Sequence, residues 1–194
     1  MEILYTEISE LNHNWLLNKY LELLNIDLQQ KILKYRRWED CQRSLLGYVL
    51  LLKGLKKYGL SVNLINDILY NSCGKPYIKG HPVHFNISHS GEITICALSK
   101  NMEVGIDIEL INPISLNNIK INMLNSEWYN INKSDNQLEA FYHYWTQKEA
   151  ILKANGSGLN IPLKSFEVKN NITHICNITY YVIKIYIEKN IVVI

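Results

Sequence analysis

Val-Gly-Ile-Asp-Ile-Glu, residues 104–109, sets two carboxylates two residues apart inside an apolar run. Side chains on a strand alternate between its faces, so Val104, Ile106 and Ile108 share one face and Gly105, Asp107 and Glu109 the other. The apolar face asks for a core. The acidic face admits two readings. One is the ordinary polar row of an amphipathic strand. The other is half of a cation site: the two Cα atoms stand ~7 Å apart at ~3.3 Å rise per residue, and oxygens from both can meet on one hard cation.

Upstream, His84–Ile87 and Ile93–Leu98 read as strands separated by S-H-S-G-E, and Asn71–Ile78 as two short extended pieces joined by a G-K-P turn. Glu39–Tyr58 has the spacing of an amphipathic helix ended by Gly59. Ahead of it come a strand at Met1–Thr6, a helix at Leu11–Leu24, and a short helix to Tyr35 opened by Asp27 and Gln30 in capping-box fashion. Downstream, an Asn-rich stretch from Pro113 to Asn132 is irregular or helical. Asp135–Asn155 is a strong helix closed by Gly156, and Phe166–Val168, Tyr180–Glu188 and Ile191–Ile194 are strand-like. A long helix accompanied by strands thus occurs once in each half. Two similar lobes, residues 1–100 and 101–194, account for that echo.

The 194 residues are 47% hydrophobic and 20% charged, the balance of an ordinary soluble globular protein. A chain of this size buries roughly 70% of its unfolded surface and needs no metal or disulfide to fold. A net charge of +2 gives no reason to expect nucleic acid or an anionic membrane as partner. Any phosphate binding therefore rests on a local cluster. Lys31, Lys34, Arg36, Arg37, Arg43 and Lys75 form one candidate, for which a solvated basic face is the plainer explanation. Cys41, Cys73, Cys96 and Cys176 form no C-x-x-C pair, which argues against a zinc knuckle or redox motif and suits a reducing compartment. M-E-I-L-Y-T carries no secretory signal pattern, and no apolar run approaches the ~18 residues of a membrane span; a cytoplasmic location is expected.

Two further stretches carry chemistry. In W-T-Q-K-E-A-I-L-K-A-N-G, residues 145–156, Trp145, Glu149 and Lys153 fall at i, i+4 and i+8 on one helix face. Glu149 and Lys153 read either as a surface pair worth ~0.2–0.5 kcal/mol or as a third acid with a lysine to tune it. Lys148 points elsewhere round the helix. In F-N-I-S-H-S-G, residues 85–91, hydroxyls, an imidazole and backbone N–H groups gather at a turn that can hold an anion; an ordinary turn explains it equally well. Adjacent residues on a strand point apart, which disfavours a Ser-His couple. His81, His84 and His89 lack the H-E-x-x-H pattern of a zinc site.

G-K-P (74–76), F-N-I-S-H-S (85–90), G-I-D-I-E (105–109) and W-T-Q-K-E-A-I-L-K-A-N-G-S-G-L (145–159), in this order and at these separations, resemble the 4'-phosphopantetheinyl transferases of the surfactin-synthetase-activating type. R-R-W-E-D-C-Q-R-S-L-L-G (36–47) adds to the likeness, which spans about residues 30–165. The resemblance implies an α+β fold of two similar lobes in pseudo-twofold arrangement, each a small, mostly antiparallel sheet packed with a long helix. The N-terminal lobe would contact the phosphates and adenosine of coenzyme A, and the C-terminal lobe would hold the metal site and reaction centre. The implied activity is transfer of the phosphopantetheine arm of coenzyme A to a serine of an apo acyl or peptidyl carrier protein, releasing adenosine 3',5'-bisphosphate.

By position, Asp107, Glu109 and Glu149 would be ligands to Mg²⁺, with Mn²⁺ as substitute. Lys31, Arg43, Lys75, Ser88 and His89 would hold coenzyme A. Glu149, Lys153 and Glu127 would stand at the reaction centre, with either glutamate as proton acceptor. Trp128 and Tyr129 would contribute to a carrier-protein surface. Relatives commonly carry a second basic residue just before Lys31, where this chain has Asp27-Leu28-Gln29. A monomer is expected. The rival readings are a non-catalytic paralogue that binds coenzyme A or a carrier protein, and a metal-dependent phosphohydrolase.

Overall fold

The computed structural model describes residues 1–187 and 191–194. The chain divides into two compact units, Met1–Val104 and Gly105–Ile194, each with a hydrophobic core of its own.

The first unit runs β1 (Glu2–Glu7), α1 (His13–Tyr20), α2 (Ile26–Leu33), α3 (Trp38–Lys57), β2 (Ile68–Tyr70), β3 (Pro76–Ile78), β4 (His84–Ser90) and β5 (Ile93–Ser99). β5 is the middle strand of an antiparallel sheet ordered β1-β5-β4, with Ile3 opposite Ala97 and Ile87 opposite Cys96. Every residue of β5 is buried, as its almost unbroken apolar sequence requires. α3 lies close on this sheet. A Cβ at Gly47 would stand 2.7 Å from Ile87 Cγ2 and one at Gly54 2.5 Å from Leu98 Cδ1. These glycines are seven residues apart, hence on one helix face, and the contact they permit offsets the ~1 kcal/mol that glycine costs a helix interior. Leu45, Leu51 and Leu55 of α3 complete the core with Ile32, Phe85 and Leu98.

Two sequence expectations shift here. α2 is capped by Asn25, whose side chain accepts the Leu28 N–H at 2.9 Å. Asp27 instead falls inside the first turn, where a negative charge suits the helix dipole. β4 continues past Ile87 to Ser90, because its ladder to β5 runs on through Ser88 opposite Ile95 and Ser90 opposite Ile93. The hairpin turn is left to Gly91 and Glu92, with Gly91 at φ +55°. Ser88 and His89 therefore sit on the strand, not in the turn.

The second unit contains β6 (Ile108–Leu110), α4 (Leu116–Ile119), α5 (Asn125–Lys133), α6 (Gln137–Asn155), β7 (Ile172–Ile175), β8 (Ile178–Tyr181) and β9 (Ile191–Val193). α6 opens where Asn136 accepts the Glu139 N–H at 3.1 Å and closes at Gly156, left-handed at φ +79°. Its inner face packs Phe141, Ile151 and Leu152 with Met123, Ile131 and Phe166. β6 pairs antiparallel with β9, and β7 with β8.

The strand expected at 104–109 starts later and runs one residue further, at Ile108–Leu110, although Asp107 exchanges both backbone bonds with Ile194, at 2.9 and 3.0 Å. Phe166–Val168 is not a strand: Lys148 takes the carbonyls of Leu163 and Phe166, and the Phe166 ring goes into the core. β8 ends at Tyr181, short of the expected stretch, of which Glu188 lies outside the described residues. β7 escapes a reading that looks for glycine at turns. Its hairpin to β8 turns on Cys176 and Asn177, at φ +49° and +66°. The α+β class, with a long helix and small antiparallel sheets in each unit, is as expected. Among the described residues no helix is long and apolar enough to cross a membrane.

Candidate active site

β6 and α6 bring three of the expected site residues together. Asp107, which precedes β6, is 4% exposed, and its Oδ1 accepts from the Lys153 ammonium at 2.5 Å. Lys153 lies one helical turn after Glu149 on α6. Burial raises the Glu149 carboxyl above the usual carboxylate range, the negative charge of Asp107 pushes it the same way, and Lys153 opposes both. Glu149 thus senses the charges of both Asp107 and Lys153, which are themselves paired. Glu109 follows two residues after Asp107, half-buried and within the β6–β9 ladder.

Among the described residues no three His, Cys, Asp or Glu side chains meet as a metal cluster, and the Lys153 ammonium stands against Asp107. The donor set still suits a hard divalent cation. It consists of carboxylate oxygens, and two acids face one lysine in a poorly solvated place, an arrangement that favours further positive charge.

Gly105 decides how closely Asp107 approaches α6. A Cβ on it would overlap the carbonyl oxygen of Ala150 and the amide nitrogen of Ala154 and stand 3.0 Å from Ala154 Cα. These are backbone atoms on the turn of α6 that carries Lys153, so they cannot swing aside. Gly105→Ala is expected to cost about 1–3 kcal/mol of stability, the range for overpacking, and to lower catalysis in the surviving folded protein. Urea denaturation alongside an activity assay on that folded fraction checks both.

Glu127 and Lys148 occupy a separate place. Lys148 is wholly buried and Glu127 is 1% exposed, with 2.8 Å between Nζ and Oε1. The ammonium also donates to the carbonyls of Leu163 at 2.6 Å and Phe166 at 3.1 Å, while Glu127 Oε2 accepts the Leu124 N–H at 2.9 Å. Burial lowers the Lys148 pKa, and the Glu127 carboxylate works against that. The pair ties α6 to the start of α5 and to the 163–166 segment. A signal for it lay in the sequence: Lys148 stands seven residues after Phe141 and four before Leu152, in the apolar stripe of α6.

In the first unit, Arg43 Nε donates to the Gly91 carbonyl at 2.9 Å and Nη1 to Asp40 at 2.6 Å, so α3 grips the β4–β5 turn. Ser88 is buried and His89 exposed, on opposite faces of β4. Lys75 leaves a turn pinned by Asn71, whose side-chain oxygen accepts the N–H groups of Cys73 and Lys75, each at 2.9 Å. Its ammonium pairs with Glu103, which also takes His84 Nδ1 at 2.9 Å. Lys31 is exposed, its ammonium 5.4 Å from the centre of the Tyr70 ring. Glu103 and His84 carry no motif that would single them out in sequence.

Comparison with known proteins gives this arrangement its context. Residues 11–101 match the N-terminal domain model of the 4'-phosphopantetheinyl transferases and residues 103–191 that of the 4'-phosphopantetheinyl transferase superfamily. The 4'-phosphopantetheinyl transferase Sfp of Bacillus subtilis (strain 168) is 36% identical over 157 residues, 78% of this chain and 68% of Sfp. The chain belongs to the 4'-phosphopantetheinyl transferase family. The transferase gsp of Aneurinibacillus migulanus is 35% identical over 179 residues, 89% of this chain and 73% of gsp. AcpT of Salmonella typhimurium is 39% identical over 95 residues, 46% of this chain and 50% of AcpT. The family reaction moves the phosphopantetheine arm of coenzyme A onto carrier proteins, and this chain is a transferase of that class. The N-terminal match contains Lys31, Arg43, Lys75, Ser88 and His89; the C-terminal match contains Asp107, Glu109, Glu127, Glu149 and Lys153.

Proposed function

We propose that this transferase moves the 4'-phosphopantetheine arm of coenzyme A to a serine hydroxyl of an apo acyl or peptidyl carrier protein with the help of Mg²⁺, releasing adenosine 3',5'-bisphosphate. The observation that carries the reading is the meeting of Asp107, Glu149 and Lys153 within the family's matched region. Lys31, Arg43, Lys75, Ser88 and His89 are assigned to the phosphates and adenosine of coenzyme A.

Asp107, Glu109 and Glu149 would hold the Mg²⁺, with Mn²⁺ able to stand in. A bound divalent cation supplies charge neutralisation at a pyrophosphate. Attack by a hydroxyl on a pyrophosphate builds charge on phosphoryl oxygens, so the protein contributes position and electrostatic stabilisation. The serine Oγ–P bond forms as the bond to the bisphosphate oxygen breaks. Glu149 suits the serine proton, since its raised pKa brings it closer to the range useful to a general base. Glu127 is committed to Lys148 and Leu124, which favours Glu149 in that role. Lys153 offsets the charge that develops on the leaving phosphate. Trp128 and Tyr129 on α5, with Lys120 and Lys133 against their rings, are suited to an acidic carrier surface.

The test is mass spectrometry of several apo carrier proteins after incubation with coenzyme A and Mg²⁺. A gain of one phosphopantetheine arm is expected on at least one. Binding of coenzyme A without any mass gain would show a binding paralogue instead.

A further inference from the structure

Lys75 and His84 are held by the fold, whereas the carboxylate they share is not. Lys75 follows the Asn71-pinned turn into β3, and its side chain is only 13% exposed. His84 opens β4, in register with Ser99 of β5. Glu103 lies outside every helix and strand, and its side chain is 55% exposed. One oxygen of Glu103 meets Lys75 and the other meets His84 Nδ1, so two donors from neighbouring elements converge on one anion. A phosphate offers more charge and more acceptor oxygens than a carboxylate at the same donors.

We propose that Lys75 and His84 form a phosphate seat, and that Glu103 occupies it as an internal competitor until a phosphate of coenzyme A displaces it. His84 is thereby a further binding residue, and Glu103 sets the affinity. This rests on the assignment of Lys75 to coenzyme A made above. An ion pair whose carboxylate is open to water in this way is worth up to ~1 kcal/mol, so removing the competitor should tighten binding roughly fivefold.

Calorimetric titration with coenzyme A, and separately with inorganic pyrophosphate, of the wild type, E103Q, H84A and H84A/E103Q reads this directly. E103Q is expected to bind coenzyme A about fivefold tighter, and the gain is expected to shrink in the H84A background, where Glu103 still pairs with Lys75 but one donor of the seat is missing. If the wild type binds coenzyme A but E103Q does not tighten it, the competitor is disproved while the transferase function stands. A gain that persists undiminished in H84A/E103Q shows a general charge effect and overturns the seat. Tighter pyrophosphate binding by E103Q in a protein that takes no coenzyme A keeps the seat and overturns the coenzyme A assignment. Binding of neither probe by any form overturns both.

Discussion

Replacing Lys148 with methionine is expected to cost this transferase about 3–5 kcal/mol of folding stability, the range for removing one partner of a buried ion pair. The ammonium stands 2.8 Å from the Glu127 carboxylate and donates to the carbonyls of Leu163 and Phe166. Methionine fills much of the same volume but leaves a carboxylate at 1% exposure and two carbonyls without their donor. The double variant K148M/E127Q should recover a large part of the loss, because glutamine is uncharged and its carbonyl can still accept the Leu124 N–H. Urea denaturation of both variants measures this. A loss below ~1 kcal/mol for K148M would place the pair among solvated surface bridges. Lys148 is the neighbour of Glu149 on α6 and anchors that helix to α5, so folded K148M should also transfer more slowly.

Asp107→Ala should lower transfer at least ~100-fold, the scale seen when one preorganised electrostatic group is removed from a reaction centre. Stability should barely change, for two reasons. The backbone of residue 107 bonds to Ile194 whatever its side chain. Lys153 has a side chain already 29% exposed and, without the carboxylate, can turn to water. Mass analysis of the carrier gives the first number and a thermal melt the second. Near wild-type turnover would remove Asp107 from the site. The same variant has an electrostatic signature. Glu149 loses the negative neighbour that helps raise its pKa, so its carboxyl should titrate at lower pH than in the parent, though burial still holds it above the ordinary range. Carboxyl-selective NMR titration follows that shift.

Much of the fold is legible in the order and spacing of residues. The two long helices declare themselves by apolar period and by the glycines that follow them, Gly59 and Gly156. β1, β4 and β5 follow from alternation and β-branched content. Where the sequence misleads, a tertiary contact or an unusual turn is responsible. The Phe166 segment looks like a strand because it is apolar, but a buried lysine claims its carbonyls. The β7–β8 hairpin hides because its turn uses Cys176 and Asn177 at positive φ where glycine is the usual sign.

The sequence by itself determined the α+β class, the family and the short list of acids and bases, because strand alternation, helical spacing and motif order are local properties of the chain. Only the tertiary structure decided what each charge does. It buried Asp107 instead of leaving it on a solvated row, pressed Gly105 onto the α6 backbone, set Lys153 against Asp107, and gave Glu127 to Lys148. The reason is physical: the behaviour of a carboxylate depends on its desolvation and on the charges within a few ångströms, and its nearest charges here are brought to it from elsewhere in the chain by packing.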